Sequence, residues 1–302
     1  MDSSTDSPTM FNQNEASSSG KVYSVSSKGL HSPNSPVRID SYIARIWALR
    51  TFIGVDAKSR ALNSGRETFL GNVWIILNPV LQSLLYILIF GIVLKTDRGI
   101  SNFVGFLIIG VTFFGFITQG LRSGAGLLQS SKNIITSFGF PAIAVPLSRS
   151  LRNVYDNLPP ALIAITIAIA TEDPVRVSWR ILLAVPIFFL MIAFSTGLML
   201  ITARLTTFVP DTKSLVSLLN RGLFFISGIF FSLDRFNGHD TLKDIMMANP
   251  IYQYLTAMRA VVLDAPLPST KEWILMTAWA LGTLVFGFLY FWRGEGRYAN
   301  YL

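Results

Sequence analysis

Apolar runs of about 20 residues recur along this chain, separated by short polar stretches, and that length matches a helix crossing a bilayer core about 30 Å thick. Six runs stand out: Val73–Leu94, Phe103–Gly120, Val145–Ala170, Ile181–Thr202, Leu215–Leu233 and Trp273–Trp292. All six are read as helices, because an isolated strand leaves its backbone unsatisfied in lipid. The third is unusual. Its clean apolar part, Leu158–Ala170, is too short to span, so the helix must reach back to Val145 and take in Arg149, Arg152 and Asp156. The predicted fold is an all-α integral membrane protein with six transmembrane helices.

Shorter amphipathic patterns flank the spans. Asp40 or Ser41 can cap a helix that places Tyr42, Ile46, Leu49 and Ile53 on one face, with Arg45 and Lys58 at headgroup level. That pattern predicts a helix lying flat on the inner membrane face, either as a plain anchor or with a further role. Between Asp234 and Lys271, Asn249-Pro250 is a helix start signal, Asn as cap and Pro at the first helical position. The helix it opens carries Ile251, Tyr254, Leu255, Met258 and Val262 on one face. It is too short to span, so it either dips into the outer leaflet as a re-entrant element or closes a surface loop. Residues 1–40 hold eleven serines and three Ser-Pro pairs with little apolar clustering. Such a composition predicts a disordered cytoplasmic tail, leaving 41–302 as one transmembrane domain.

Composition sharpens the membrane reading. Of the 302 residues 51% are hydrophobic and 14% charged, with a mean hydropathy of +0.49. With the N-terminus inside, the inner segments carry seventeen of the 25 Lys and Arg residues against roughly half as many acids, while eight outer basic residues meet eight acids. This is the bias expected of a protein with both termini cytoplasmic. The net charge of +8 is then explained by topology and anionic lipid, with no nucleic-acid partner implied. The N-terminus has no short basic region followed by an apolar core, so no cleaved signal peptide is expected. There is no cysteine, and His31 and His239 lie far apart outside the spans, so metal chemistry is not expected.

The candidate chemistry is sparse. No paired carboxylates, Ser/His set or metal cluster falls at membrane depth, so no catalytic residue is assigned. No Gly-x-x-x-x-Gly-Lys-Ser/Thr loop is present, so the chain cannot bind ATP phosphates by that loop, and if it is an active pump the motor is another polypeptide. Asp156 stands four residues after Arg152, spacing that allows an ion pair along one helix face. The first span carries Asn78, Pro79 and Gln82 near its inner end; either the amides satisfy backbone released by a proline kink, or they face a wet channel. Glycines 105, 110, 115, 120, 124 and 126 permit close helix approach, and aromatics cluster at Phe113, Phe114, Phe116, Phe224, Phe225, Phe230 and Phe231.

The run Phe69-Leu-Gly-x-x-Trp-x-x-Leu-Asn-Pro-x-x-Gln82, followed by Phe90-Gly91, resembles the start of the first span in ABC-transporter permeases that export polysaccharides. Asn133-Ile-Ile-Thr-Ser-Phe-Gly-Phe-Pro141, leading to Val145-Pro-Leu-Ser148, resembles that family's cytoplasmic coupling helix, and Phe291-Trp-Arg293 with Tyr298 resembles its C-terminus. The likeness covers roughly residues 41–300. It implies a homodimeric permease of the O-antigen, teichoic-acid or galactan type in a bacterial cytoplasmic membrane, joined to two ABC ATPase subunits that hold ATP and Mg. The substrate implied is a polyprenyl-linked glycan, the channel lying between two copies and lined by spans one and five. Asn78, Gln82, Tyr86, Phe224, Phe225 and Phe231 are the channel-lining expectation. Lys132, Asn133, Ile134, Ile135, Phe138 and Phe140 are the ATPase-coupling expectation. The chain departs from the pattern at Thr136, Ser137 and Ala142, where family members often carry basic residues, which leaves Lys132 as the main coupling charge. An exporter of a small molecule or lipid on the same architecture is the alternative, and an ATP-independent channel or scaffold is the competing class.

Overall fold

The computed structural model describes residues 38–62, 71, 73–93, 100–138, 140–172, 174–175, 178–231 and 240–301. Most of the serine-rich tail, the Phe69-Leu70 start of the first-span motif, Leu94 and the end of the expected fifth span at 232–233 lie outside them, as do both histidines. Among the described residues every element is a helix.

The N-terminal amphipathic segment is two helices, α1 (Ile39–Ala48) and α2 (Arg50–Leu62), joined at Leu49. Tyr42 of α1 and Ile53, Ala57 and Ala61 of α2 turn inward, and α2 packs on α7, introduced below. Next, α3 (Val73–Tyr86) carries Pro79 inside it and continues as a π-helical stretch, Ile87–Val93. Ser83 caps the disturbed turn by donating to the Pro79 carbonyl at 2.7 Å. Only Ser83 is buried along α3, so this helix leans on the bundle without entering it.

The centre of the molecule is α4 (Phe103–Gly124), whose N-cap Asn102 accepts from Gly105 N–H at 2.7 Å. Asn102 also donates to the Ala168 carbonyl at 2.9 Å, which ties the N-terminal end of α4 to the C-terminal end of a later helix. A left-handed Gly126 (φ 75°) turns the chain into the short helices α5 (Leu127–Ser130) and α6 (Lys132–Phe138). Then α7 (Ala144–Ala170) runs 27 residues, about 40 Å, long enough to cross despite Pro159 and Pro160. Its apolar stretch alone would be too short, so the polar inner half anticipated from the sequence is part of one helix.

A 3₁₀ turn at Trp179–Leu183 leads into α8 (Ala184–Phe208). The backbone of α8 lies so close to α4 that a Cβ on Gly120 would collide with the Ser195 carbonyl. On its other side it meets α12 (Thr270–Trp292), where a Cβ on Gly287 would sit 2.6 Å from the Gly197 carbonyl. These approaches are why glycine occupies such positions.

The fifth expected span is corrected. Between α8 and α12 the chain forms α9 (Thr212–Ile226), 15 residues or about 22 Å, which ends at Ser227-Gly228 with Gly228 left-handed (φ 63°). Phe230 and Phe231 follow in non-helical backbone, so the apolar run to 233 is not one helix. Two further helices come before α12, α10 (Asp240–Ala248) and α11 (Pro250–Val262), and after it comes α13 (Glu295–Tyr301). Asn249 caps α11 by accepting from Ile251 N–H at 3.0 Å, with Pro250 at the first position. All five residues of its expected apolar face are buried. So α11 belongs to the main core, against α4 and α8.

Within that core Arg259 is 5% exposed and, among the described residues, has no carboxylate partner in an ion pair. Its guanidinium donates to the carbonyls of Phe106 (3.0 Å), Gly228 (2.9 Å) and Ile229 (3.2 Å) and lies 3.4 Å over the Phe106 ring. One side chain thereby fastens α11 to α4 and to the turn that ends α9. By length and composition four described stretches can cross a membrane, Val73–Gly91, Phe103–Gly124, Trp179–Phe208 and Thr270–Trp292. The chain is a multi-pass membrane protein.

Candidate functional site

The C-terminal half of α4 and the N-terminal half of α7 join through side chains. Gln119 Nε2 donates to Asn153 Oδ1 (3.2 Å), Asn157 Nδ2 donates to Gln119 Oε1 (2.7 Å), and Asn153 Nδ2 donates to Ser123 Oγ (3.2 Å). One turn from Asn153, Arg152 and Asp156 form the i,i+4 ion pair that their spacing predicted, at 3.2 Å. Polar groups at such depth are costly unless they meet one another or water, and here most of them do.

The polar side of α3 faces this seam. Asn78, Pro79 and Gln82 line a cleft of about 580 Å³ together with Gln119 and Asn157. Asn78 is exposed, and Gln82 donates to Tyr86 Oη at 3.2 Å. The amides flagged in the sequence therefore border a polar space rather than only mending a kink. Gln119, Asn153 and Asn157 were not singled out. Gln119 with Ser123 and Asn153 with Asn157 are both i,i+4 pairs, a signal of two polar stripes on helices otherwise read as apolar.

Further along α3 the character changes to aromatic. Phe90 stacks on Phe230 at 3.9 Å, Tyr86 meets Phe224 at 5.5 Å and Phe230 at 5.2 Å, and Phe224 meets Phe114 at 5.2 Å and Phe225 at 5.6 Å. Tyr86, Phe224 and Phe225 are brought together in a wall joining α3 to α9. Within it Phe224 is largely packed, whereas Phe225 remains 59% exposed. Phe231 is elsewhere, half-buried beside Asn102 and Tyr252 in a separate cleft.

The expected coupling residues fall on α6 and its exit. Lys132 and Asn133 are exposed, while Ile134 turns toward Phe52 and Asp56 of α2 and Ile135 packs on a second core around Tyr42, Leu128 and Ile143. The Phe140 ring lies 5.0 Å from Phe52; the Phe138 side chain is outside the described residues. Beneath them, a buried carboxylate gathers three segments. Glu295 of α13 accepts from Tyr42 Oη of α1 at 2.6 Å and from Ala142 N–H, just past α6, at 2.5 Å. Burial holds its carboxyl above the usual carboxylate range, and the hydrogen bonds from Tyr42 and Ala142 act against that rise. Burial also pushes the Tyr42 hydroxyl far up, with Glu295 adding to it.

Comparison with known proteins places the chain in a family. The family described as ABC-2 type transporter matches residues 53–263, from α2 through the end of α11. An O-antigen export system permease protein RfbA of Myxococcus xanthus is 23% identical over 213 residues, covering 70% of this chain and 80% of the relative. Two proteins of Klebsiella pneumoniae with the same description are 24% identical over 238 residues (78% and 89%) and 22% identical over 203 residues (67% and 76%). The family match covers well over half of the chain and spans the polar seam, the aromatic wall, α6 and the buried Arg259, and the chain belongs to the ABC-2 type transporter family, as a membrane transport subunit and not a catalytic enzyme.

Proposed function

We propose that this chain is the permease subunit of an ATP-driven exporter that moves a cell-surface polysaccharide on a lipid carrier across the bacterial cytoplasmic membrane. The observation that carries the reading is the family match, with relatives described as O-antigen export permeases over most of both chains. The one-sided burial of α3 supports it. A helix that buries only Ser83 and exposes Leu81, Leu84, Leu85 and Leu88 has a whole flank left for lipid or a second copy. In a homodimer, α3 and α9 of two copies enclose the conduit, with Asn78 and Gln82 offering amides to sugar hydroxyls and Phe225 offering a ring face.

Six crossings, both termini cytoplasmic and α10–α11 re-entrant from the outside complete this arrangement; α9 and the turn after it serve as the fifth crossing. Two copies of a separate ABC ATPase hold ATP and Mg and dock at the exposed Lys132-Asn133 edge of α6. Depletion of the chain tests the proposal. Lipid-linked glycan should accumulate on the cytoplasmic side while surface polymer falls, and unchanged surface polymer refutes it. Export of a small molecule or lipid instead would leave the glycan pools untouched and reduce efflux of that compound.

A further inference from the structure

Two clefts meet at the inner ends of α4 and α7. The first is the polar cleft along α3; the second, about 440 Å³, opens between α2, the α5–α6 segment and the start of α7. Arg122, Ser123 and Arg149 line both, so they form the shared wall. The charges around this wall do not balance. Arg60, Arg122, Arg149 and Arg152 face two acids, and both acids are already engaged: Asp56 with Arg60 at 2.7 Å and with the Ser148 hydroxyl, Asp156 with Arg152 at 3.2 Å. Among the described residues Arg122 and Arg149 form no ion pair, and Arg149 Nε is buried without a hydrogen-bond partner.

A buried guanidinium donor left unmet, as at Arg149 Nε, is costly, and two guanidiniums on one cleft wall suit a phosphate, whose oxygens accept from planar N–H forks. We propose that Arg122 and Arg149 form an anion site for the phosphate or pyrophosphate of a lipid headgroup. This rests on the export reading above and assigns that substrate's head a place. Depth selects a lipid over a free anion. Arg122 lies two residues from the end of α4 and Arg149 five residues into α7, within about 10 Å of the helix ends and so near the headgroup layer. The exposed leucines of α3 beyond the cleft supply an apolar flank for the hydrocarbon chain. Asp156 Oδ1, also buried and unpartnered, would repel phosphate but can accept from the hydroxyl of an attached sugar.

The test is binding by the full-length chain in phosphatidylcholine nanodiscs. Polyprenyl pyrophosphate, phosphatidylglycerol and inorganic pyrophosphate are the probes. Arg122→Gln and Arg149→Gln should each weaken polyprenyl pyrophosphate binding about tenfold, or about 1.4 kcal/mol. Arg149→Lys should lose less, and Arg293→Gln, at an exposed inner position away from both clefts, should lose nothing. Because Arg122 is exposed, its variant keeps the fold and the comparison stays meaningful if Arg149→Gln does not fold. Equal displacement by phosphatidylglycerol would overturn the assignment of the site to the exported substrate's head, because any bilayer phosphate would then fill it. Inorganic pyrophosphate binding as tightly as the lipid would overturn the lipid assignment. Binding that follows this pattern in a protein whose depletion leaves surface polymer intact would keep the site and remove the export reading; export that needs the chain, with binding indifferent to both arginines, would do the reverse.

Discussion

Replacing Tyr42 by Phe removes one hydroxyl from a place where α1, the exit of α6 and α13 are held by a single carboxylate. The ring is 1% exposed and stays packed against Phe288, so packing is conserved and the change isolates the hydrogen bond to Glu295 at 2.6 Å. A hydrogen bond to a charged group contributes about 1.5–3 kcal/mol. Its loss should therefore raise the opening equilibrium of α13 by about 10- to 100-fold, at 1.4 kcal/mol per decade. Glu295→Ala should do more, because it strands the Tyr42 hydroxyl and the Ala142 N–H together. Hydrogen exchange of the α13 amides in nanodiscs reads this directly. The pH dependence has a fixed sign. A carboxyl whose folded-state affinity for protons is raised by burial contributes stability that is full below its ordinary value and is lost as pH rises through the raised one. After correction for intrinsic exchange, α13 should open more readily as pH rises through that window, and Glu295→Gln should abolish the trend. If Tyr42→Phe leaves α13 exchange at the wild-type level, the carboxylate does not hold these segments together.

Arg259→Leu leaves three buried carbonyls without their donors and should cost about 3 kcal/mol or more, seen as loss of folded protein in detergent; Arg259→Lys, which cannot reach all three, should fall between. Gly120→Ala forces α4 and α8 apart at Ser195 and should lower the thermal midpoint, whereas alanine at Gly115, with open space around it, should not. Phe224→Ala should destabilise by about 2–4 kcal/mol because its ring is packed, while Phe225→Ala should leave folding intact and reduce export. Ile134→Glu places a charge between α6 and α2 and should uncouple ATP hydrolysis from export in the assembled transporter; coupled turnover at the wild-type rate would remove α6 from the coupling path.

Periodicity and cap chemistry carried far in this chain, and the failures share a cause. Asn249-Pro250 announced α11 and its apolar face because caps and faces are local properties. The depth of that helix was invisible, because Arg259 was read as an outer charge and its three carbonyl partners lie 30 to 153 residues away. The end of α9 was misplaced because Phe230 and Phe231 kept the run apolar, although Ser227-Gly228 is a turn signal inside it. The i,i+4 pair of Arg152 and Asp156 was legible within one helix, whereas the Gln119–Asn153–Asn157 seam needs two helices facing each other. The excess of arginine at the cleft was present in the composition as net charge, but only the fold brings Arg122 and Arg149 to one wall with Asp156 already paired to Arg152.

The π-helical stretch Ile87–Val93 gives the end of the rod that α3 begins a different phase from α3 itself. An α-helix advances about 100° per residue, and a π turn absorbs one extra residue without breaking the rod. The inner half can therefore present Asn78 and Gln82 to the polar cleft while Phe90 meets Phe230, although no single α-helical register has to satisfy both. A one-residue insertion or deletion within Ile87–Val93 would turn one face against the other by about 100°, resetting which aromatic meets α9 while leaving the amides in place.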